Sequence, residues 1–402
     1  MKKVLILSEA KPVQGGKAEN TIFGYLSKFI LSKNFDLDFY FLDLKNNLDN
    51  SINKKKIFNF LKKKNFKLKK KKIYLKKNFF FPFRFFFSTI DTSLKFNFKN
   101  IRINNKISYD LLISLGHCSF YLSHQFKFKK RIFIMGDPPG ERLYVYSKIN
   151  FKNKKNINNF FKLFYSYVCF KLENYYWKWN IDFKNTVIGI FGTATAKRFR
   201  NIFKKKLVVD LRPAMPKLNN RSIYYKKNIT KIILAGSLGG SFAKSTLTNF
   251  INLINSFNYP FLKYYLLGHE IEKSISSKLV SNLNNLHLLP ATNNFENILS
   301  RMNIFIIPTE YYIGVRTRLC SALSAGNFCI VTKAVLLNMP ELNYCKSVEV
   351  VNFNNKEILR SIVKYHNLSY GKKLLLNYES KKFFRNNYLY SVSAKKFISQ
   401  II

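Results

Sequence analysis

The chain has 402 residues, 47% of them hydrophobic, which is enough for two ordinary domains with a core each and excludes a disordered chain. Lys and Arg number 69 against 21 Asp and Glu, a net charge of +48 that by itself points to nucleic acid or an anionic membrane surface. The excess is lysine and travels with Asn, Ile, Phe and Tyr, the products of adenine- and thymine-rich codons, whereas nucleic-acid readers cluster the forked guanidinium of Arg; nucleic acid is therefore not an expected partner.

From the N-terminus, Val4 to Leu7 reads as a first strand, too short for the core of a signal peptide. Pro12-Val-Gln-Gly-Gly-Lys17 follows, with Gly15 and Gly16 opening a helix over Ala18 to Leu31, then a strand over Leu37 to Leu42. Lys54 to Lys77 is dense in lysine and Phe79 to Phe87 in phenylalanine; the pair suits either an anionic leaflet or a solvated helix beside a core strand. Strands are expected at Leu111 to Ser114, Arg131 to Met135 and Thr186 to Phe191. His117 follows the first of these, and Asp137 leaves the second just before two prolines. A lone histidine is usually structural and Asp137 is equally a loop cap, so their chemistry rests on position.

A polar segment, Pro213 to Asn228, then interrupts the pattern, which restarts with strands at Lys231 to Ala235, Leu262 to Leu267, Leu286 to Leu288, Ile304 to Ile307, Phe328 to Val331 and Val348 to Val351. Such alternation of short apolar runs with helical patterns predicts an α/β protein of two Rossmann-like domains on parallel sheets. The expected division is 1–225, 226–385 and a C-terminal helical piece, 386–402; Tyr378 to Ile402 reads as one or two helices. No window approaches the ~20 apolar residues that cross a bilayer. Cys118, Cys169, Cys320, Cys329 and Cys345 form no C-x-x-C pair and no metal-ligand spacing, which predicts a reducing cytoplasm.

The most informative stretch runs from Ile304 to Thr332. A strand ends at Pro308, a loop carrying Glu310 reaches Gly314-Val315-Arg316-Thr317-Arg318, a helix continues to Ala325, and Gly326 stops it before another strand. Leu319, Ala322 and Leu323 are expected to face the sheet, with Arg318 and Ser321 on another face. Two isolated arginines are usually solvated charges. Set at a helix start beyond a parallel strand, they and the free N–H groups instead make a pyrophosphate site. Gly236-Ser237-Leu-Gly-Gly240, at the end of the Lys231 strand, is a second loop that phosphate can approach closely, with Lys244 at the next helix start.

With these residues in place, the chain resembles the GT-B fold glycosyltransferases, particularly those similar to glycosyltransferase family 4 (glycosyl transferases group 1). The family pattern P…GxRxK/RxxEAxAxG is matched by Pro308, Gly314, Arg316, Arg318, Ala322 and Gly326, and departed from at Ser321, which stands where the family has glutamate. The resemblance implies two facing domains with a cleft between them and a C-terminal helix packing back on the first. It further implies that the turn holds the donor diphosphate, that Lys244 joins it, that the Gly15-Gly16 loop faces the cleft, and that Glu310 takes a sugar-binding role. Many relatives carry His-Asp near Asp137; here the preceding residue is Gly136, so Asp137 and His117 are the catalytic candidates. No metal and no cofactor is implied, because basic residues neutralise the diphosphate of a nucleotide-sugar co-substrate. The expected activity is glycosyl transfer to a hydroxyl acceptor in cell-surface polysaccharide or lipid-linked glycan synthesis, in the cytoplasm or peripherally on the inner face of its membrane. Ser321 and Gly136 keep open a degenerate transferase-like protein that binds a glycan or partner, and the fold keeps open a nucleotide-sugar epimerase.

Overall fold

A computed structural model describes residues 2–8, 35–41, 107–136, 138–180, 185–203, 208–216, 229–237, 241–257, 259–269, 285–290, 292, 295–312 and 314–401. The expected helix Ala18 to Leu31, the Gly15-Gly16 loop, the stretch 54–87, Asp137 and residues 238–240 lie outside them. The chain divides into two compact units, Met1–Leu211 with Ala394–Ile402, and Arg212–Ser393.

In the first unit, β1 (Lys2–Ser8), β2 (Phe35–Phe41), β3 (Ser108–Leu115), β4 (Lys127–Met135), β5 (Thr186–Phe191) and β6 (Val208–Leu211) form a parallel sheet in the order β2-β1-β3-β4-β5-β6. Val4 to Leu7 and Leu111 to Leu115 are buried on both sheet faces, which is why these central strands read as unbroken apolar runs. Gly189 sits in β5 because a Cβ there would meet Leu211 Cδ1 at 2.7 Å. Strand β6 was not legible: it is four residues long, half of it is partly exposed, and Asp210 interrupts it to accept a hydrogen bond from Thr193 Oγ1 (2.7 Å).

Four described helices belong to this unit: α1 (His117–Ser123), α2 (Pro139–Asn153), α3 (Ile157–Asn180) and α4 (Thr193–Ile202). Proline suits the first turn of α2, where an N–H has no helical partner. The carboxylate of Glu173, on α3, serves that turn instead, accepting from Gly140 N (2.8 Å) and Glu141 N (3.1 Å). Arg198, on α4, faces both Glu141 (3.1 Å) and Glu173 (3.6 Å).

The second unit contains β7 (Thr230–Ser237), α5 (Ser241–Ser256), β8 (Leu262–His269), β9 (Leu286–Pro290), α6 (Phe295–Leu299), β10 (Ile304–Ile307), α7 (Thr317–Ala325), β11 (Phe328–Thr332), α8 (Lys333–Leu336), a 3-10 turn (Pro340–Tyr344), β12 (Val348–Val351), α9 (Asn355–His366), α10 (Tyr370–Asn387) and α11 (Tyr390–Ile401), whose last residues fall to the first unit. Its parallel sheet runs β12-β11-β10-β7-β8-β9. The chain moves outward from β7 to β9, returns to the other side of β7 as β10, and moves outward again. That reversal between β7 and β10 is a topological switch point, where the loops at the two strand ends part and leave a crevice.

Two apolar clusters cover the two faces of the sheet, one around Phe305, Leu319, Cys329 and Tyr388, the other around Ile232, Phe250, Ile304 and Ile330. Fully burying each such side chain contributes roughly 1.5–3 kcal/mol. In helix α7 all residues from Leu319 to Ala325 are buried, whereas Thr317 and Arg318 in its first turn are half-buried. Its second side is covered by α10, where Ser380 Oγ donates to the carbonyls of Leu323 (3.1 Å) and Asn327 (3.0 Å) and Asn377 Nδ2 to that of Gly326 (2.9 Å).

Candidate active site

The predicted turn lies at the switch point of the second unit. Gly314 takes φ +69°, a conformation that favours glycine, and turns the chain into α7. Arg316 occupies the N-cap position, and its side chain makes no capping hydrogen bond. Thr317 opens α7 with its N–H on the Val315 carbonyl (3.2 Å), and Val315 packs on the core beneath. Gly326 ends the helix at φ +92°, its N–H shared between the carbonyls of Ala322 and Leu323.

The two arginines of the turn are used differently. Arg316 Nη2 donates back to the Tyr311 carbonyl (2.9 Å) and secures the loop that precedes it. Arg318 Nη1 reaches across to the Ala235 carbonyl (3.3 Å), at the end of β7 and next to Gly236-Ser237. Two motifs distant in sequence thus meet at the ends of β7 and β10. Burial, and then the neighbouring Arg316 charge, pull the Arg318 guanidinium below its ordinary value. Among the described residues no carboxylate pairs with it. A partly desolvated cation held on a carbonyl, beside a helix start, is a site for an anion.

No protein-family model and no curated sequence matches the chain. Solved structures do. A glycosyltransferase from Rickettsia africae ESF-5 aligns with a TM-score of 0.62 at 12% identity, over 99% of this chain and 97% of its own. A TarM variant from S. aureus, in complex with fondaparinux, α-GlcNAc-glycerol and UDP, aligns with 0.62 at 10% identity over 100% of both chains. WaaG, a glycosyltransferase involved in lipopolysaccharide biosynthesis, aligns with 0.55 at 11% identity over 99% of both. The fold is the GT-B fold.

Within this GT-B chain the remaining predicted residues fall as follows. Gly236 is buried in β7, and Ser237 is the last residue of that strand. Lys244 lies in the first turn of α5. Glu310 is half-buried in the loop between Pro308 and Gly314, and Ser321 is buried one turn into α7, at 3% exposure. In the first unit, His117 opens α1 directly after Gly116, at the end of β3. Strands β1 and β3 flank that unit's own switch point, so His117 is at the corresponding position of its sheet.

Several residues that hold the site were not singled out from the sequence. Asn338, 1% exposed, donates through Nδ2 to the carbonyls of Tyr312 and Gly314 (3.4 Å for the latter), fixing the turn from beyond β11. Thr332 Oγ1 donates to the Thr309 carbonyl, and Thr309 Oγ1 accepts from Tyr311 N (3.1 Å). The Arg316 N–H rests on Met339 Sδ (3.4 Å). The signal available was the Asn-Met pair just after α8, but its target lies 24 positions upstream.

Proposed function

We propose that the chain is a glycosyltransferase that takes the diphosphate of a nucleotide-sugar at the Gly314–Arg318 turn and moves the sugar to a hydroxyl acceptor. The observation that carries this reading is the Arg318 guanidinium on the Ala235 carbonyl, a cation with no carboxylate partner among the described residues, at the switch point of a parallel sheet. During transfer the acceptor oxygen forms a bond to the anomeric carbon as the bond to the diphosphate oxygen breaks. Negative charge grows on the departing diphosphate, and Arg318, Lys244 and the positive end of the α7 dipole offset it without a metal. Arg316 keeps the turn in place and adds positive charge. Ser321 and Glu310 are assigned to the ribose and the sugar, the Gly15-Gly16 loop to the donor, and Asp137 and His117 to the acceptor and its proton. The likeness to WaaG supports a lipid-linked or cell-surface glycan as acceptor, and no described helix is long and apolar enough to cross a membrane.

The test is thermal stabilisation by nucleoside diphosphates and nucleotide-sugars, beginning with UDP. A ligand at a hundred times its dissociation constant adds about 2.7 kcal/mol to the folded state. Arg318→Ala should remove the shift while leaving the protein folded; an unchanged shift overturns the reading. Ser321 in place of a carboxylate favours a second reading, a chain that binds a glycan without turnover. Sugar transfer or nucleotide-sugar hydrolysis by the wild-type protein rejects it.

A further inference from the structure

Helix α3 is the longest described helix, and it carries apolar groups on two sides. One side buries Ser166, Cys169 and Glu173. The other presents Ile157, Phe160, Phe161, Phe164 and Tyr167 at three- and four-residue spacing, all exposed, with Ile157 at 74%, Phe161 at 62% and Phe164 at 61%. Phe160 packs only loosely on Phe151 of α2, ring centroids 6.1 Å apart. Single exposed hydrophobic residues are ordinary on a protein surface, but a contiguous stripe of this kind marks a surface that binds something.

Charge identifies the occupant. From Arg142 to Leu172 the chain has seven basic residues and no acidic one, and all seven are exposed. Lys154 and Lys155 occupy the turn between α2 and α3, next to the aromatic stripe, and Lys162 lies within it. Glu141 and Glu173, which bound the acid-free stretch, are buried against Arg198 and contribute no negative surface. Two copies joined through this face about a two-fold axis would set seven positive charges against seven. An anionic bilayer surface answers both properties at once: aromatic rings enter the headgroup boundary while lysine stems lie along it and their ammonium groups meet lipid phosphate. We infer that the α2–α3 hairpin is a docking surface for an anionic membrane, through Ile157, Phe160, Phe161, Phe164, Lys154 and Lys155. The inference does not depend on the donor site, nor on residues 54–87.

Full-length protein is floated with vesicles of equal parts phosphatidylglycerol and phosphatidylcholine, and with phosphatidylcholine alone. It is expected to float with the first and not the second. Phe160→Ser/Phe161→Ser/Phe164→Ser should abolish flotation at an unchanged melting temperature, Lys154→Ala/Lys155→Ala should weaken it roughly thirtyfold, and Arg318→Ala should leave it intact. Failure of the wild type to float overturns the inference, as does flotation of the triple aromatic variant at wild-type strength, which would assign binding to another basic segment. A wild-type dimer that the aromatic variant turns into a monomer, with no flotation by either, would assign the face to a second copy. Binding of soluble polyglutamate by the wild type, again without flotation, would assign it to an acidic polypeptide, and either result overturns the membrane.

Discussion

Arg316 and Arg318 are two positions apart, yet one braces a loop and the other spans two strands. Arg316→Ala should therefore cost about 1 kcal/mol of stability, read as a lower denaturant midpoint, and weaken nucleoside diphosphate binding only partly. At Gly326 backbone and space act together: φ is +92°, and a Cβ would lie 2.0 Å from Asn377 Nδ2. Gly326→Ala should destabilise the second unit by about 2 kcal/mol or more, measured by urea unfolding. Glu173 is a different case. Burial pushes its carboxyl up to about 7, against the pull of Arg198 and of two backbone N–H groups. The folded state thus holds this proton more firmly than the unfolded state, whose carboxyl titrates near 4.5. The stabilisation is complete below about pH 4.5 and is lost as pH rises through about 7, a swing of about 3 kcal/mol. Denaturant midpoints of the wild type should fall across that window, and those of Glu173→Gln should stay level.

Among elements, those built from short apolar runs bounded by polar residues were the most legible. Thr186–Phe191, Ile304–Ile307 and Val348–Val351 were expected with these bounds, and α7 with its capping glycine, because strand, turn glycine and helix stop are local signals. Strand β6 was missed because its signal is its pairing with β5 and not its own pattern. The cover over the second face of α7 was not legible for a related reason. Nothing in nine residues reveals that α10, some fifty positions later, covers the second face. The candidate site divides in the same way: the glycines and arginines of the turn could be read from spacing, whereas Asn338, which fastens the turn, could not. Asn338→Ala leaves the Tyr312 and Gly314 carbonyls without this donor. It should cost about 1–3 kcal/mol and speed amide exchange in residues 311–315, with β7 unaffected.

At the scale of the whole molecule the charge of +48 opposes compaction. Raising sodium chloride from about 0.01 M to about 1 M shortens the Debye length from about 30 Å to about 3 Å. The melting temperature should rise over that range, and a flat or falling curve would mean that the lysines are already neutralised within the fold. The link from Arg318 to Ala235 also has a consequence for synthesis of the chain. Its ends are 83 positions apart, and β10 must enter the sheet beside β7 before they can meet. Long-range closure of this kind is a slow step in folding. A nascent chain, emerging at about 5–20 residues per second, therefore carries the glycine loop of β7 for several seconds with no arginine opposite it. Ribosome-bound fragments that stop short of Arg318 should not be protected by nucleoside diphosphate, so the ligand can retain only chains whose second sheet has closed.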